Sequence, residues 1–228
     1  MEKAIRKYAV IVAGGSGTRM GTEKPKQFLL LKGKPILWYT IQQFLKSYDD
    51  LQVILVLPSE FIGMGIEILP ELMDRERVQI ITGGSSRFDS VKKGLSVIHK
   101  KGIVFVHDGV RCLLSVDLIQ RCCKQAIEKG NAIPAVAATD SIRIVEGEMN
   151  QVVDRNNIRI IQTPQTFQTE LLLPAFQREF DVAFTDEASV FEAAGGKVFL
   201  IDGEYSNIKI TRPVDLLLAE TIMVEKMI

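Results

Sequence analysis

The sequence predicts an α/β fold in which helices flank an open, mostly parallel β-sheet and a β-hairpin arm protrudes from it. Short runs rich in Val and Ile alternate with longer stretches of helical hydrophobic spacing, a pattern typical of strand–helix units. The chain has 228 residues, of which 46% are hydrophobic, and this is enough to bury a sizeable core. No linker, repeat or change of composition divides it, so we expect a single domain over residues 1–228.

Each predicted strand is an apolar run whose length suits a buried strand rather than a membrane span. The first of these runs leads directly into a glycine-rich segment. The predicted strands cover residues 8–13, 52–57, 78–82, 103–107, 132–138 and 197–201.

Helices are predicted between these strands, where apolar residues recur every three or four positions. Pro35 suits the first position of one helix. Ser86 and Asp89 have the spacing of a capping box at the start of another helix. Further helices are expected over residues 118–127 and from Pro213 onward.

The segment at about residues 139–160 breaks this alternation. Two strand-like runs flank Glu146, Gly147 and Glu148, which indicates a β-hairpin. An isolated hairpin is marginally stable in water, so this arm is expected to lean on another surface. A second copy of the chain in a symmetric dimer is an economical candidate, and we therefore expect a homodimer that forms through the arm.

The composition argues against several classes of partner. The 28 Lys and Arg residues balance 28 Asp and Glu residues, so the chain lacks the basic field that gathers nucleic acid or an anionic membrane. Its apolar runs fall far short of the roughly 18 residues of a membrane helix, and its N-terminus lacks a signal-peptide pattern. We expect a cytoplasmic protein with a small-molecule ligand, no nucleic acid partner and no membrane partner. The three cysteines form no CxxC pair and are expected to be reduced thiols.

The glycine-rich segment after the first predicted strand indicates a phosphate-binding loop. Residues 13–21 are AGGSGTRMG, and they follow the carboxyl end of a strand, where α/β sheets bind ligands. The segment matches neither the Walker motif nor GxGxxG, because Met20 stands where the last glycine would be. Arg19, Lys24 and Lys26 lie within eight residues, a density of cations that suits a polyphosphate.

Further motifs carry polar and charged residues along the rest of the chain. Together with GGSGTRMG from Gly14, they are PKQ from Pro25, GGSSRFDSV from Gly83, HDGVR from His107, DRN from Asp154, QTPQTF from Gln162, TDEAS from Thr185 and NIKIT from Asn207. The motifs and their order, over residues 8 to about 220, resemble those of the 2-C-methyl-D-erythritol 4-phosphate cytidylyltransferases, which are sugar nucleotidyltransferases. This resemblance implies a Rossmann-like nucleotidyltransferase fold. It also implies transfer of a cytidylyl group from CTP to methylerythritol 4-phosphate, with release of pyrophosphate, in non-mevalonate isoprenoid biosynthesis.

The resemblance also assigns roles to individual residues. The catalytic residues it implies, which stabilise or align the phosphates, are Arg19, Lys26, Arg155 and Lys209. The residues it places at CTP are Ala13, Gly14, Gly15, Gly17, Gly84, Ser85, Ser90, Asp108 and Gly109. The residues it places at the polyol phosphate are Arg111, Ser141, Arg155, Thr163 and Thr185. Arg155 lies at the end of the hairpin, so within a dimer it is expected to reach the neighbour's site.

The resemblance further implies a divalent cation, Mg²⁺, bound by Asp108. A phosphate monoester has a second pKa of about 6, so the nucleophile is mostly ionised at neutral pH and needs no catalytic base. Two positions depart from the family pattern. An acidic residue that often precedes the NIK motif is replaced by Ser206, so metal binding depends mainly on Asp108. Cys112 and Leu113 stand where the family has Pro-Phe.

Several of these residues also have a simpler explanation. Asp108 could be a turn residue at the end of a strand. Thr185 could cap a helix whose first turn is acidic, a role that is compatible with substrate binding. Lys209 could be a solvent-exposed residue of a strand-like run.

Two other functions compete with this one. A ribitol 5-phosphate cytidylyltransferase would share the fold and the mechanism, but the Asp154-Arg155 pair and the complete TDEAS motif favour methylerythritol phosphate. A catalytically inactive nucleotide-binding protein would be marked by loss of the catalytic cations. Arg19, Lys26 and Lys209 are all present, which argues against that class.

Overall fold

The structure is a computed structural model that describes residues 5–15, 20–21 and 24–225. Its strands are β1 (Arg6–Val12), β2 (Leu30–Leu31), β3 (Lys34–Pro35), β4 (Leu51–Leu57), β5 (Val78–Thr82), β6 (Gly102–Asp108), β7 (Asn131–Ala137), β8 (Ile142–Glu146), β9 (Met149–Val153), β10 (Arg159–Ile161), β11 (Gln165–Gln168) and β12 (Leu200–Asp202). Its α-helices are α1 (Ile36–Ser47), α2 (Ile62–Ile68), α3 (Arg87–Ser96), α4 (Val116–Lys129), α5 (Thr169–Ala175), α6 (Glu187–Ala193) and α7 (Pro213–Glu225). Short 3₁₀ helices include Lys26–Phe28, Arg75–Arg77 and Arg155–Asn157.

The main sheet has the strand order β10-β7-β11-β6-β1-β4-β5, with β12 paired to β7. Strands β6, β1, β4 and β5 run parallel, which confirms the predicted mostly parallel sheet. β11 lies antiparallel between β6 and β7, and β10 is antiparallel to β7. The sequence pattern does not predict β11, because its four residues include two glutamines and form too short a run.

The register of β1 brings the ends of three strands together. Val12 at the end of β1 lies opposite Asp108 in β6 and Val56 in β4. The backbone N–H of Gly109 donates to the carbonyl oxygen of Val12 at 2.9 Å. The residues that follow β1 and β6 therefore start from adjacent points on the carboxyl edge of the sheet.

Side chains of β1 alternate between two hydrophobic clusters on opposite faces of the sheet. Ala9 and Ile11 belong to the cluster packed against α1 and α4. Val10 and Val12 belong to the cluster packed against α3, α5 and α6. A strand buried on both faces is apolar throughout rather than alternating, which explains why the sequence shows an unbroken run here.

The predicted helices are confirmed, and α3 begins with the predicted capping box. The Asp89 N–H donates to the Ser86 hydroxyl at 3.0 Å, and the Ser86 N–H donates to the Asp89 carboxylate at 3.2 Å. α1 begins at Ile36, one residue later than predicted, because Pro35 pairs with Leu30 in the β2–β3 hairpin. Among the helices that the structure describes, none combines the length and the apolar character needed to cross a lipid bilayer.

The prediction that Thr185 caps a helix is wrong by one residue. The N-cap of α6 is Asp186, whose carboxylate accepts a hydrogen bond from the Ser189 N–H at 2.8 Å. The Ser189 hydroxyl in turn accepts from the Asp186 N–H at 3.1 Å. An aspartate and a serine three residues apart satisfy two backbone donors reciprocally, so Thr185 stays outside the helix and its side chain is exposed.

The strand predicted over residues 197–201 is shorter and begins later, at Leu200. The Asn131 side chain explains the difference. Its amide nitrogen donates to the Lys197 carbonyl at 2.8 Å, and its amide oxygen accepts from the Phe199 N–H at 2.8 Å. A buried side chain thus replaces the ladder hydrogen bonds at the start of the run.

The predicted hairpin is confirmed as β8 and β9, with Gly147 at positive φ in the turn. Within the described chain these strands pair only with each other, as a two-stranded sheet. Its large apolar side chains are solvent-exposed, notably Val145, Met149 and Val152 at 69%, 73% and 71%. Exposed apolar surface of this kind is typical of an interaction surface, and the homodimer through the arm stays a prediction.

The cysteines give a prediction on thiol reactivity. Cys112, Cys122 and Cys123 are free thiols and buried. Burial raises the pKa of Cys112 and of Cys122 to about 12 and also raises the pKa of Cys123, so their thiolate fractions at pH 8 are very small. We expect Ellman's reagent at pH 8 to leave the native protein unmodified over minutes and to titrate all three thiols at once in guanidinium chloride. Rapid reaction of the native protein would contradict this burial.

Candidate functional site

A pocket of about 290 Å³ opens at the carboxyl edge of the sheet. It lies beyond the ends of β1 and β6, where the register of these strands brings their following residues together. The residues assigned from the sequence that line it are Ala13, Gly14, Gly15, Lys26, Gly84, Ser85, Ser90, Asp108 and Lys209. The structure therefore brings most of the expected CTP residues and two of the expected catalytic cations into one cavity.

Asp108 lies at the end of β6, and three cationic side chains surround its carboxylate. Lys209 Nζ is 2.9 Å from Asp108 Oδ2, Arg87 Nη2 is 3.3 Å from Oδ1, and Arg111 Nε is 3.7 Å from Oδ2. Burial alone would raise the pKa of Asp108, but Arg87, Lys209 and Arg111 outweigh burial and hold it well below its usual range. Asp108 is therefore ionised at neutral pH.

Arg87 joins Asp108 to a second buried carboxylate, that of Glu187 in the first turn of α6. Arg87 Nη1 donates to Glu187 Oε1 at 2.5 Å, and Nη2 donates to Oε2 at 3.2 Å. Burial raises the pKa of Glu187 although Arg87 opposes this shift. Neither residue of this pair is among the site residues predicted from the sequence. They stand 100 positions apart, so no local pattern could have found the contact.

His107 and Thr163 fix the backbone of β6 beside the carboxylate. The Asp108 N–H donates to Thr163 Oγ1 at 3.1 Å, which leaves the Thr163 hydroxyl proton for His107 Nδ1 at 2.9 Å. His107 Nε2 then carries a proton and donates to the carbonyl oxygen of Arg111 at 3.1 Å. Burial lowers the pKa of His107 to about 3, so the ring is neutral. The hydroxyl of Thr163, an expected substrate residue, is thus part of this internal network.

Lys209 reaches Asp108 because its segment is tied to the end of β6. Asn207 is fully buried, and its side-chain amide donates to the Thr163 carbonyl at 2.9 Å. Arg111 Nη1 donates to the Asn207 carbonyl at 2.9 Å. The Ile210 N–H donates to the carbonyl oxygen of Val110 at 3.1 Å. These bonds make Lys209 part of the pocket wall rather than a fully solvated lysine, although 42% of its side chain is exposed.

The loop before α3 forms the opposite wall, and its glycine is needed for close packing. The Gly84 N–H donates to the Ser90 hydroxyl at 3.1 Å. A Cβ at Gly84 would come within 2.2 Å of the Asp89 Cβ, so a side chain here would displace the start of α3. This loop therefore lines the pocket with backbone groups and small hydroxyls, and its close packing against α3 fixes their positions.

Gly109 contributes by packing behind the wall. It does not line the pocket in the described part of the chain. A Cβ at Gly109 would lie 2.8 Å from the Ala13 Cβ. The glycine therefore allows the loop after β1 to approach the end of β6.

The loop after β1 is described only in part. Gly17 and Arg19, which the sequence analysis placed at the phosphates, lie outside the described residues. Gln27 supports the part that is described, because its side-chain amide donates to the Ala13 carbonyl at 2.8 Å while Gln27 itself is buried. Lys24 lies at a separate surface depression together with Phe28 and does not line the main pocket.

The remaining expected substrate residues do not line this pocket in the described protomer. Arg155 and Ser141 are exposed at the base of the arm, and Arg155 Nη1 donates to the Thr139 carbonyl at 2.9 Å. Thr185 is also exposed, just before α6. Arg111 lies behind Asp108 and contacts it, although it does not line the cavity.

The donor set limits how a metal could be bound. Among the described residues, no group of three or more His, Cys, Asp or Glu side chains could hold a metal ion. Asp108 is the acidic residue in the described pocket lining. Mg²⁺ is commonly bound by one or two carboxylates together with substrate phosphates and water. Asp108 therefore fits a cation that arrives with a phosphate ligand, and does not fit a site built from protein ligands alone.

Comparisons with known proteins agree on one family. A family model described as 2-C-methyl-D-erythritol 4-phosphate cytidylyltransferase matches residues 7–225. The enzyme of that name from Bacteroides fragilis is 42% identical over 215 residues, which cover 94% of this chain and 98% of that protein. The crystal structure of 4-diphosphocytidyl-2C-methyl-D-erythritol synthase from Anaerococcus prevotii has a TM-score of 0.82 at 28% identity and covers 96% of both chains. The cytidylyltransferase structure from Thermus thermophilus has a TM-score of 0.72 at 30% identity, covering 94% of this chain and 97% of that chain.

Proposed function

The chain belongs to the 2-C-methyl-D-erythritol 4-phosphate cytidylyltransferase family, and from this premise we propose how its residues carry out the reaction. The enzyme transfers a cytidylyl group from CTP to methylerythritol 4-phosphate and releases pyrophosphate, in the non-mevalonate route of isoprenoid biosynthesis. The main support for the proposal is that Lys26, Lys209 and Asp108 line the same pocket. The cytoplasmic location stays a prediction from the sequence.

The nucleophile is a phosphate oxygen of methylerythritol 4-phosphate, and it attacks the α-phosphorus of CTP. A phosphate monoester with a second pKa of about 6 is already ionised at neutral pH. His107 is buried, and its nitrogens are engaged by Thr163 and Arg111, so it serves the fold rather than acting as a base. The barrier comes from bringing two anions together, and the enzyme lowers it with aligned cations.

We assign the CTP side of the pocket to the loops after β1 and β5. Gly14 and Gly15 are exposed and line the cavity beside Lys26, an arrangement suited to a phosphate chain. Ala13 also lines the cavity, but its N–H donates to the Val56 carbonyl and its carbonyl accepts from Gln27, so it supports this loop. Gly84 and Ser90 face the same cavity from the loop that starts α3, and we place the cytosine there, with Ser85 beside it. Arg19 and Gly17 would join the triphosphate from the undescribed part of the loop.

We assign the alcohol phosphate to the side of the pocket formed by Lys209. Its ammonium group lies 2.9 Å from Asp108 and lines the cavity, so it can contact a phosphate oxygen while Asp108 holds it in place. Arg111 and Thr163 would support this side from behind the pocket wall, where Arg111 forms an ion pair with Asp108 and Thr163 is hydrogen-bonded to His107. Thr185 and Ser141 would complete this side from exposed positions.

Enzymes of this family are generally dependent on a divalent cation, and we propose Mg²⁺. Asp108 is the residue that would hold it, because its carboxylate is ionised and is the acidic group in the described pocket lining. Lys209 and Arg87 already contact this carboxylate, so the cation would share it with them. When bound, the cation would supply Lewis-acid stabilisation of charge on the phosphates. Ser206 offers no carboxylate at the position where the family often has one, so the triphosphate would supply most of the other ligands.

We propose that the arm joins two subunits and carries Arg155 to the partner's site. The β8–β9 sheet is separate from the main sheet and exposes apolar side chains, which a second copy of the arm would cover. Arg155 lies at the base of the arm and does not line the pocket of its own protomer. A site completed in trans accounts for both observations.

The substrate is tested by pyrophosphate release with Mg²⁺ present. We expect turnover with CTP and methylerythritol 4-phosphate, and at least about 100-fold lower kcat/KM with ribitol 5-phosphate, because a site built for one polyol leaves polar groups unpaired with the other. ATP, GTP and UTP serve as nucleotide controls. A preference for ribitol 5-phosphate would show that the protein is a ribitol 5-phosphate cytidylyltransferase. Absence of turnover with either alcohol would support the alternative of a catalytically inactive nucleotide-binding protein.

Lys26→Ala is expected to lower kcat by about 100-fold or more while KM for CTP changes only a few-fold. The reason is that a cation aimed at the phosphates stabilises the charge that develops in the transition state more than it stabilises the ground state. Steady-state kinetics with both substrates measures the effect. Lys34→Ala is the matched control, because Lys34 pairs with Glu71 away from the pocket and should retain wild-type rates. If the substitution weakened CTP binding as much as it lowered kcat, Lys26 would be only a binding residue.

Mixed dimers test whether Arg155 acts across the subunit interface. Lys26→Ala and Arg155→Ala are each expected to be nearly inactive alone. If Arg155 acts in trans, random mixing restores one intact site per heterodimer, or about a quarter of all sites. Activity is measured after co-refolding the two variants at equal concentration, and light scattering measures the oligomeric state. Mixtures as inactive as their components, with a dimer present, would show that Arg155 serves its own protomer.

A further inference from the structure

Glu187 is a fully buried carboxylate that the sequence analysis left without a role. It lies in the first turn of α6, and its two oxygens accept hydrogen bonds from Arg87 Nη1 and Nη2. Replacing a buried ion pair by apolar residues is often neutral for stability. A need for stability therefore does not by itself explain why a charged pair stands here.

The geometry of Arg87 suggests what the charged pair provides. One edge of its guanidinium faces Glu187, at 2.5 and 3.2 Å, and Nε and Nη2 both face Asp108 Oδ1 at 3.3 Å. A guanidinium is a planar and rigid fork, so fixing one edge fixes the direction of the other. The shorter bond to Glu187 thus sets the orientation of Arg87 toward Asp108.

Glu187 can fix Arg87 because α6 itself is anchored. Gln165 in β11 donates to the Asp186 carboxylate at 2.8 Å and accepts from the Ala188 N–H at 2.8 Å. These two bonds hold the residues on either side of Glu187. The start of α6 is therefore tied to the strand next to β6.

Aromatic packing anchors α3 in the same way. Phe88, the residue after Arg87, stacks on Phe176 with ring centroids 5.0 Å apart and on Phe184 at 5.7 Å. Phe184 immediately precedes the TDEAS motif. The starts of α3 and α6 thus meet at two neighbouring points, one apolar and one ionic.

We propose that Glu187 and Arg87 are positioning residues of the transfer reaction, in which Glu187 orients Arg87 so that Arg87 holds Asp108 Oδ1 and leaves Oδ2 to Lys209. Without Glu187, the Arg87 guanidinium can turn toward either oxygen and compete with Lys209. Lys209 would then lose the contact that holds its ammonium group against the pocket wall. This inference rests on the proposed function, because it concerns the same residues and the same reaction.

The test is a double-mutant cycle with Glu187→Gln and Arg87→Lys. Glu187→Gln keeps the shape of the side chain and removes the charge. We expect it to lower kcat by about tenfold or more, while the Kd for CTP, measured by calorimetry, changes less than about threefold. Arg87→Lys removes the planar fork and should lower kcat similarly. In the Arg87→Lys background, Glu187→Gln should cost less than about twofold further, because Glu187 acts through Arg87.

A purely structural role predicts a different result. Asn131→Ser is the matched control, since Asn131 is a buried amide that only fixes the residues before β12. It should lower the Tm and leave kcat per folded enzyme unchanged. Losses of kcat that multiply in the double variant, or an unchanged kcat in Glu187→Gln, would overturn the proposal. If Glu187→Gln does not fold, an unchanged kcat in Arg87→Lys overturns it equally. An inactive wild-type enzyme would instead overturn the proposed function.

Discussion

The ion pairs around Asp108 are the interaction on which the site depends. A buried carboxylate is costly unless it is paired, and the three cations that pair with it come from three different parts of the chain: α3, the turn after β6 and the segment before α7. The same charge that must be compensated for folding therefore gathers the cations that the proposed function assigns to phosphate chemistry. Under the proposed function, folding and catalysis both require the charge of Asp108.

Most buried polar groups behind Asp108 have hydrogen-bond partners within one connected network. The few buried atoms of the described residues that lack a partner also lie near the pocket. The Thr163 hydroxyl bonds to His107, and the Asn207 amide donates to the Thr163 carbonyl. The Gln162 amide donates to the Asn207 carbonyl and to the Glu204 carbonyl. Among the described residues, the buried side-chain atoms without a hydrogen-bond partner are Gln27 Oε1, Arg111 Nε and Asn207 Oδ1. All three residues lie in the pocket wall or directly behind it. Natural proteins violate full satisfaction chiefly at functional sites, so this clustering fits the placement of the site.

Much of this arrangement could be predicted from the sequence, and the limit has a physical reason. The central parallel strands are unbroken apolar runs, and the Ser86–Asp89 cap and the glycines after β1 are local signals. The Arg87–Glu187 pair joins residues 100 positions apart. β11 is short and polar, and it is buried only because β6 and β7 pair with it on either side. Such features depend on tertiary contacts, which hydrophobic period and capping rules do not encode. Resemblance to a family supplied Asp108 and Lys209, but not the contacts that hold them.

The buried carboxylates hold in place the cations that surround them, and the described residues at the pocket keep an excess of positive charge. Lys26, Lys209, Arg87 and Arg111 oppose Asp108 and Glu187, so among the described residues cations exceed carboxylates by two. Binding energy accelerates a reaction only when it is greater in the transition state, so under the proposed function the placement of these cations matters as well as their number. Asp108 fixes the positions of Arg87, Arg111 and Lys209, and Glu187 acts on Arg87 without lining the pocket itself.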